Sequence, residues 1–125
     1  MQWTVANQGN NETFEATWTD RVYLSDSPVV DQDAVQWFLG DVVHTGKLGK
    51  GQSYTATATF ELTPPSSGLF VIVETNLNRT AFEGPLTNNN TLATSTSVTS
   101  IAPADLVVTA VVAPNQNFSG EIAHV

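Results

Sequence analysis

The sequence predicts an all-β protein, folded as an antiparallel β-sandwich of about seven or eight strands. Short segments alternate apolar and polar residues, most clearly at 53–62, where Tyr54 and Phe60 lie on one face and the threonines on the other. Clusters of Gly, Pro and Asn separate these segments, as turns separate short strands. No stretch of ten or more residues has a helical period. These features together favour two packed antiparallel sheets.

Eight segments carry strand patterns, and each ends at a turn signal. The run at 69–75 is almost continuously apolar, which is typical of a central strand covered on both faces. The others alternate or are rich in β-branched and aromatic residues. In chain order the predicted strands are residues 2–6, 13–24, 37–43, 53–62, 69–75, 92–101, 105–112 and 118–125.

Length and charge limit the classes of function. The 125 residues fit a single domain with one core. Twelve acidic residues against four basic ones give a net charge of -8, which excludes the clustered cations that nucleic acids and anionic membranes require. The chain has no cysteine, so it has neither disulfides nor thiol chemistry. An acidic surface remains compatible with divalent cations, neutral glycans or solubility alone.

An acidic loop between the second and third predicted strands is the best candidate for a metal site. Calcium binds several hard oxygen ligands, and carboxylates are concentrated here. The spacing does not match an EF-hand. The alternative is a solvated turn whose aspartates cap backbone amides. The candidate calcium ligands are Asp20, Asp26, Asp31 and Asp33, with Glu83 and Asn88 from a second polar loop.

Tryptophan side chains suggest a second kind of site. Aromatic faces can stack on sugar rings, and Trp37 adjoins the acidic loop, so we expect it to be exposed and a candidate glycan contact. Trp3 and Trp18 lie within strand patterns and are expected in the core. No nucleophile–base motif and no distinguished carboxylate pair is present, so we expect no enzymatic activity.

A series of short motifs runs through nearly the whole chain. The motifs are WTVANQG at residues 3–9, WTDRVYLS at 18–25, LG with TG at 39–46, GQSYT at 51–55, Glu83 with NNN at 88–90, and PADLVVT at 103–109. Together they resemble the CARDB repeat, the cell-adhesion-related domain found in bacteria. The resemblance implies an immunoglobulin-like or fibronectin-III-like sandwich and a structural or adhesive role in a large prokaryotic surface protein, and it implies no defined ligand.

The order of the motifs departs from the family, in which the DLVV strand precedes the WTV strand. Here DLVV lies near the C-terminus, so residues 119–125 and 2–7 read as two halves of one strand, as in a repeat that is out of frame or circularly permuted. The halves can meet within one chain, or the C-terminal part can complete a neighbouring copy head to tail by strand addition. We favour closure within the chain, since it avoids the entropy of association. The predicted assembly residues are Trp3, Val5, Asp105, Leu106, Val107, Val108, Ile122 and Val125.

Overall fold

The computed structural model describes residues 1–113, 116, 120 and 122. Within them the chain forms six β-strands and no helix, and therefore no helix of the length and hydropathy needed to cross a bilayer. The strands are β1 (Gln2–Ala6), β2 (Thr17–Ser25), β3 (Gln36–Thr45), β4 (Ser53–Thr57), β5 (Gly68–Glu74) and β6 (Thr91–Val98).

The strands form two antiparallel sheets of different width. β1 pairs with β4 in a two-stranded sheet, and the second sheet has the order β3-β2-β5-β6. The all-β class and the two antiparallel sheets are therefore confirmed. The long β2 lies inside the wider sheet, where it is hydrogen-bonded on both sides.

The core lies between the sheets, and the alternation of β2 explains which residues fill it. Every second residue of β2 is buried, which places Trp18, Asp20, Val22 and Leu24 on one face. Val22, Leu24 and Val71 form one buried cluster, against which Trp3, Trp37, Leu39, Phe60, Val73 and Val98 pack. Trp18, Leu48 and Ala81 form a second cluster. The two clusters lie toward opposite ends of β2, with Trp18 about 13 Å along the strand from Val22 and about 20 Å from Leu24.

A bulge in the β2–β3 pairing lies beside a glycine on which the ring of Phe60, three residues beyond β4, packs. The register shifts between Val22 and Tyr23, so that Val22 pairs with Gly40 and Tyr23 with Phe38. A Cβ atom on Gly40 would lie 2.6 Å from Cε1 of Phe60. Glycine is therefore needed at this position because the Phe60 ring packs directly on the strand backbone.

Some predicted strands differ from those observed. The segment predicted at 53–62 ends as a strand at Thr57, although Phe60 still packs into the core. The prediction of a strand at 105–112 is wrong for this structure: these residues have no secondary structure, because no strand of the described chain pairs with them. The predicted last strand, 118–125, lies outside the described residues except for Gly120 and Ile122.

Candidate functional site

A buried carboxylate joins the two sheets. Asp20, on the inner face of β2, is 0% exposed. Its Oδ2 accepts hydrogen bonds from Trp3 Nε1 of β1 at 2.8 Å and from the Tyr54 hydroxyl of β4 at 2.8 Å. Its Oδ1 accepts from Thr75 Oγ1 at 2.5 Å and from the Tyr54 hydroxyl at 3.0 Å. The carboxylate is thus hydrogen-bonded to both sheets, as a buried charge must be to remain stable.

Aromatic rings surround the Asp20 carboxylate on one side. Trp18 Nε1 donates to the Tyr54 hydroxyl at 3.0 Å, and the His44 ring stacks on Tyr54 with centroids 3.8 Å apart. Burial between the sheets raises the pKa of the Tyr54 phenol above its usual value. Because the hydroxyl is itself a donor to Asp20, this network serves to hold the sheets together and offers no open site for a ligand.

This placement separates Asp20 from the other predicted calcium ligands. The acidic loop instead uses its carboxylates to cap backbone amides: Asp26 Oδ1 accepts from the Val35 amide at 3.0 Å, and Asp31 Oδ1 accepts from the Asp33 amide at 3.0 Å. These contacts are the turn chemistry that was the alternative interpretation of the loop.

The second polar loop is ordered by one glutamate. Glu83 Oε2 accepts from Asn76 Nδ2 at 2.7 Å and from Asn90 Nδ2 at 2.6 Å, whereas Asn88 is exposed. Across residues 1–113, 116, 120 and 122, no three acidic or histidine side chains come together in a way that could hold a metal ion. Calcium binding remains a prediction from sequence for which the described residues supply no assembled ligand set.

Trp37 lies in β3 opposite Leu24 and is half-buried against the core cluster of Val22, Leu24 and Val71. Its indole nitrogen is buried without a hydrogen-bond partner among the described atoms. Trp18 is buried in the interior, as predicted, whereas Trp3 is half-buried against the same cluster as Trp37. The neighbouring Phe38 is the exposed aromatic residue of this strand, with the Arg21 guanidinium 5.0 Å from its ring centroid.

The outer face of the wider sheet carries one close ion pair. Arg21 Nε lies 2.7 Å from Asp41 Oδ1, and the hydrogen bond from Arg21 lowers the pKa of the Asp41 carboxyl. Burial and the nearby Glu74 carboxylate raise the pKa of Tyr23 on the same face. The Arg21–Asp41 pair is partly solvent-exposed, so it contributes little to stability.

Among the described residues, no strand pairs with the edge of β1 that faces away from β4. Met1 and Asn7 hydrogen-bond to Ala58 and Gln52, at the two ends of the β1–β4 ladder. The alternation of an antiparallel ladder therefore directs the backbone groups of Trp3 and Val5 toward β4. The backbone groups of the residues between them point away from β4, and no strand among the described residues pairs with them.

An apolar cleft opens between the sheets near Met1. It encloses about 290 Å³, and its lining includes Leu24, Leu39, Phe60, Leu62, Val71 and Val98. Leu62 follows β4, and Val98 ends β6. We call this the Met1 end of the sandwich. The opposite end, where Asn7 Nδ2 donates to the Leu48 carbonyl oxygen, is the Asn7 end.

The 105–112 segment is exposed along its whole length, as is every residue from 101 to 113. Leu106 is 94% exposed, Val107 is 69% exposed and Val108 is 79% exposed. Such exposure is unusual for three consecutive apolar residues in a globular protein. Ile122 is exposed as well, and Val125 lies outside the described residues. Among the predicted assembly residues, Trp3 and Val5 therefore belong to the open strand, while Asp105, Leu106, Val107 and Val108 form an exposed segment.

Comparisons with protein-family models, with curated proteins and with solved structures found no match.

The structure also brings forward three residues that the sequence analysis did not select, namely Tyr54, Thr75 and His44. The period-two pattern did place Tyr54 on the same face as Phe60, so its inward direction was readable. Its contact with Asp20 depends on how the two sheets face each other, which no local pattern encodes.

Proposed function

We propose that this chain is a structural repeat module that joins copies of itself head to tail in an extracellular prokaryotic surface protein or fibre. In this proposal the sandwich is of the immunoglobulin-like kind and belongs with the CARDB repeats that its motifs resemble. The module acts as a spacer or adhesive unit, and its direct partner is an adjacent copy.

One observation carries the proposal: in the described part of the chain, β1 has a strand edge without a partner, and residues 105–112 form an exposed apolar segment. An unpaired edge beside an apolar cleft is a template for strand addition. The exposed valines and leucine are chemically suited to cover such a cleft. The polar, weakly charged surface, with 13% charged residues, is typical of extracellular β-modules.

The buried Asp20 network also suits a module that is held under tension in a fibre. Its hydrogen bonds link β1 and β4 to β2, so a pull on either sheet is opposed by donors that are already shielded from water. Glycan binding, the competing interpretation, gains no support from Trp37, because that ring packs against the core.

The test of this proposal is the solution mass of the full chain, measured by light scattering over a wide range of concentration. A head-to-tail module gives a weight-average mass that rises continuously with concentration, since a heterologous contact leaves both ends of each assembly open. A mass equal to one chain at every concentration, up to the solubility limit, contradicts the proposal.

A further inference from the structure

We propose that the acceptor site is the free edge of β1 and that its ligand is the 105–112 segment of a second copy, running antiparallel to β1 and entering from the Asn7 end. This inference rests on the proposed function and specifies the site through which copies join. It states which strand edge binds, in which direction the copies join, and which side chains of the segment face the core.

The edge offers the backbone chemistry that a third strand needs. Gln2, Thr4 and Ala6 direct their amides and carbonyls away from β4, because the intervening residues use theirs in the β1–β4 ladder. Their side chains are exposed and uncharged, so no repulsion opposes an incoming strand. Trp3 and Val5 point toward the core, which sets the face on which an added strand must place its apolar side chains.

The alternation within the segment matches that face. Leu106, Val108, Ala110 and Val112 fall on one side of a strand, and that side is wholly apolar. The other side carries Asp105 and Thr109 between Val107 and Val111. A strand added to β1 therefore turns Leu106 and Val108 toward the core and leaves Asp105 and Thr109 in solvent. The opposite orientation buries a carboxylate with no cation beside it, which is strongly unfavourable.

The route of the chain does not allow residues 105–112 to pair antiparallel with β1 of the same copy, and the described residues show no parallel pairing between the two. Residues 100–104 line an apolar cleft with Pro64 and Pro65, which follow Leu62 at the Met1 end. Asp105 therefore starts at the Met1 end, whereas an antiparallel partner of β1 must start at the Asn7 end. β1 is five residues long, about 17 Å, whereas the single step from Ala104 to Asp105 covers about 3.8 Å, so Asp105 of the same copy cannot reach the Asn7 end. When the Met1 end of a second copy lies against the Asn7 end of the first, the segment of the second copy starts at that Asn7 end and runs antiparallel to β1 of the first copy.

This geometry repeats without closing on itself. Each copy receives a segment at β1 and delivers its own segment beyond its Met1 end, so every contact is heterologous and the product is a linear polymer with a defined direction. Residues 105–112 lie unpaired and exposed. The closure within the chain that the sequence favours concerns residues 119–125 and 2–7; residues 119–125 lie outside the described residues except for Gly120 and Ile122, so that preference stays a prediction.

The test compares Val108→Asp with Thr109→Asp in the full chain. Both substitutions add one negative charge to neighbouring exposed residues that contact no core side chain, so both variants fold as the parent does. Val108→Asp brings the charge into the cleft, and we expect its association constant to fall by about 100-fold. Thr109→Asp keeps the charge in solvent, and we expect a change of less than about threefold. Association is measured by sedimentation velocity.

A mixing experiment tests whether each copy has an acceptor site that is separate from its 105–112 segment. A Val108→Asp copy keeps its β1 edge, so it accepts a segment from the parent protein and cannot extend the polymer further. Added to the parent in small amounts it shortens the polymers, whereas Thr109→Asp does not. If the parent polymerises and Val108→Asp polymerises equally well, the assignment of residues 105–112 as the ligand is wrong while the proposed function stands. If the parent itself stays monomeric, the proposed function fails.

Discussion

Replacement of Asp20 by alanine tests whether the buried network holds the two sheets together. The substitution removes both carboxylate oxygens and leaves the donors of Trp3, Tyr54 and Thr75 without their acceptor. Each buried donor left unpaired costs about 1–3 kcal/mol. Some of that cost is recovered because Tyr54 and Thr75 can rotate their hydroxyls, whereas the Trp3 indole can only donate. We therefore expect a loss of about 3–5 kcal/mol in the free energy of unfolding.

Asp20→Asn provides the graded comparison. An asparagine keeps the shape and one oxygen acceptor, and its amide can donate to the Thr75 hydroxyl, so the geometry survives while the charge assistance is lost. Charge-assisted hydrogen bonds are roughly twice as strong as neutral ones. We expect a loss of about 1–2 kcal/mol, between those of the parent and of Asp20→Ala.

The assay is urea unfolding followed by tryptophan fluorescence, with an unchanged dependence on urea as evidence that the unfolded states are comparable. Asp41→Ala is the matched control. It removes a carboxylate from the adjacent strand β3, and the partner of that carboxylate, Arg21, is partly exposed. Its cost is expected below about 1 kcal/mol. If Asp20→Ala costs no more than Asp41→Ala, the reasoning about the buried network is refuted.

Three further predictions concern pH, packing and metal. The pKa of Tyr54 is raised in the folded protein, so its contribution to stability is complete below pH about 10 and declines at higher pH, because the phenol of the unfolded chain ionises first. Thermal unfolding from pH 8 to 11 should show this decline. If the decline is undiminished in Tyr54→Phe, the prediction is wrong. Gly68→Ala should cost about 1–3 kcal/mol, since its Cβ would lie 2.8 Å from the Ser25 carbonyl oxygen; Ser67→Ala, at the neighbouring position, is the control in the same urea assay. Millimolar calcium should leave the melting temperature unchanged, because the described carboxylates cap amides instead of converging; a saturable rise that is lost in Asp31→Asn would restore the calcium hypothesis.

The sequence predicted the strands best where both the pattern and the partner lie within the chain. The boundaries of β1 and the core direction of Tyr54 and Phe60 follow from alternation alone. The 105–112 segment has an equally strong pattern, yet it is not a strand here. A period of two shows which residues can form a strand, whereas a strand exists only when a neighbour supplies its hydrogen bonds.

Asp20 shows where residue type misled the analysis of the site. Its closeness in sequence to Asp26 and Asp31 suggested a shared ligand set. Its parity with Trp18 and Val22, two residues away on either side, placed it on the inner face of β2, and this signal was present in the sequence. The identity of its donors was not, because Trp3 and Tyr54 come from strands whose position across the core is set by tertiary packing.

Hydrogen exchange at the β1 edge tests the central claim most directly. The amides of Thr4 and Ala6 face away from β4, whereas those of Trp3 and Val5 lie in the ladder. Exchange measured by NMR on quenched samples should be fast for Thr4 and Ala6 at a concentration where the chain is monomeric and strongly slowed where the mass has risen. Trp3 and Val5 should be slow in both. Fast exchange of Thr4 and Ala6 in a sample that has polymerised would show that copies join elsewhere, and the account of β1 as the acceptor strand would be wrong.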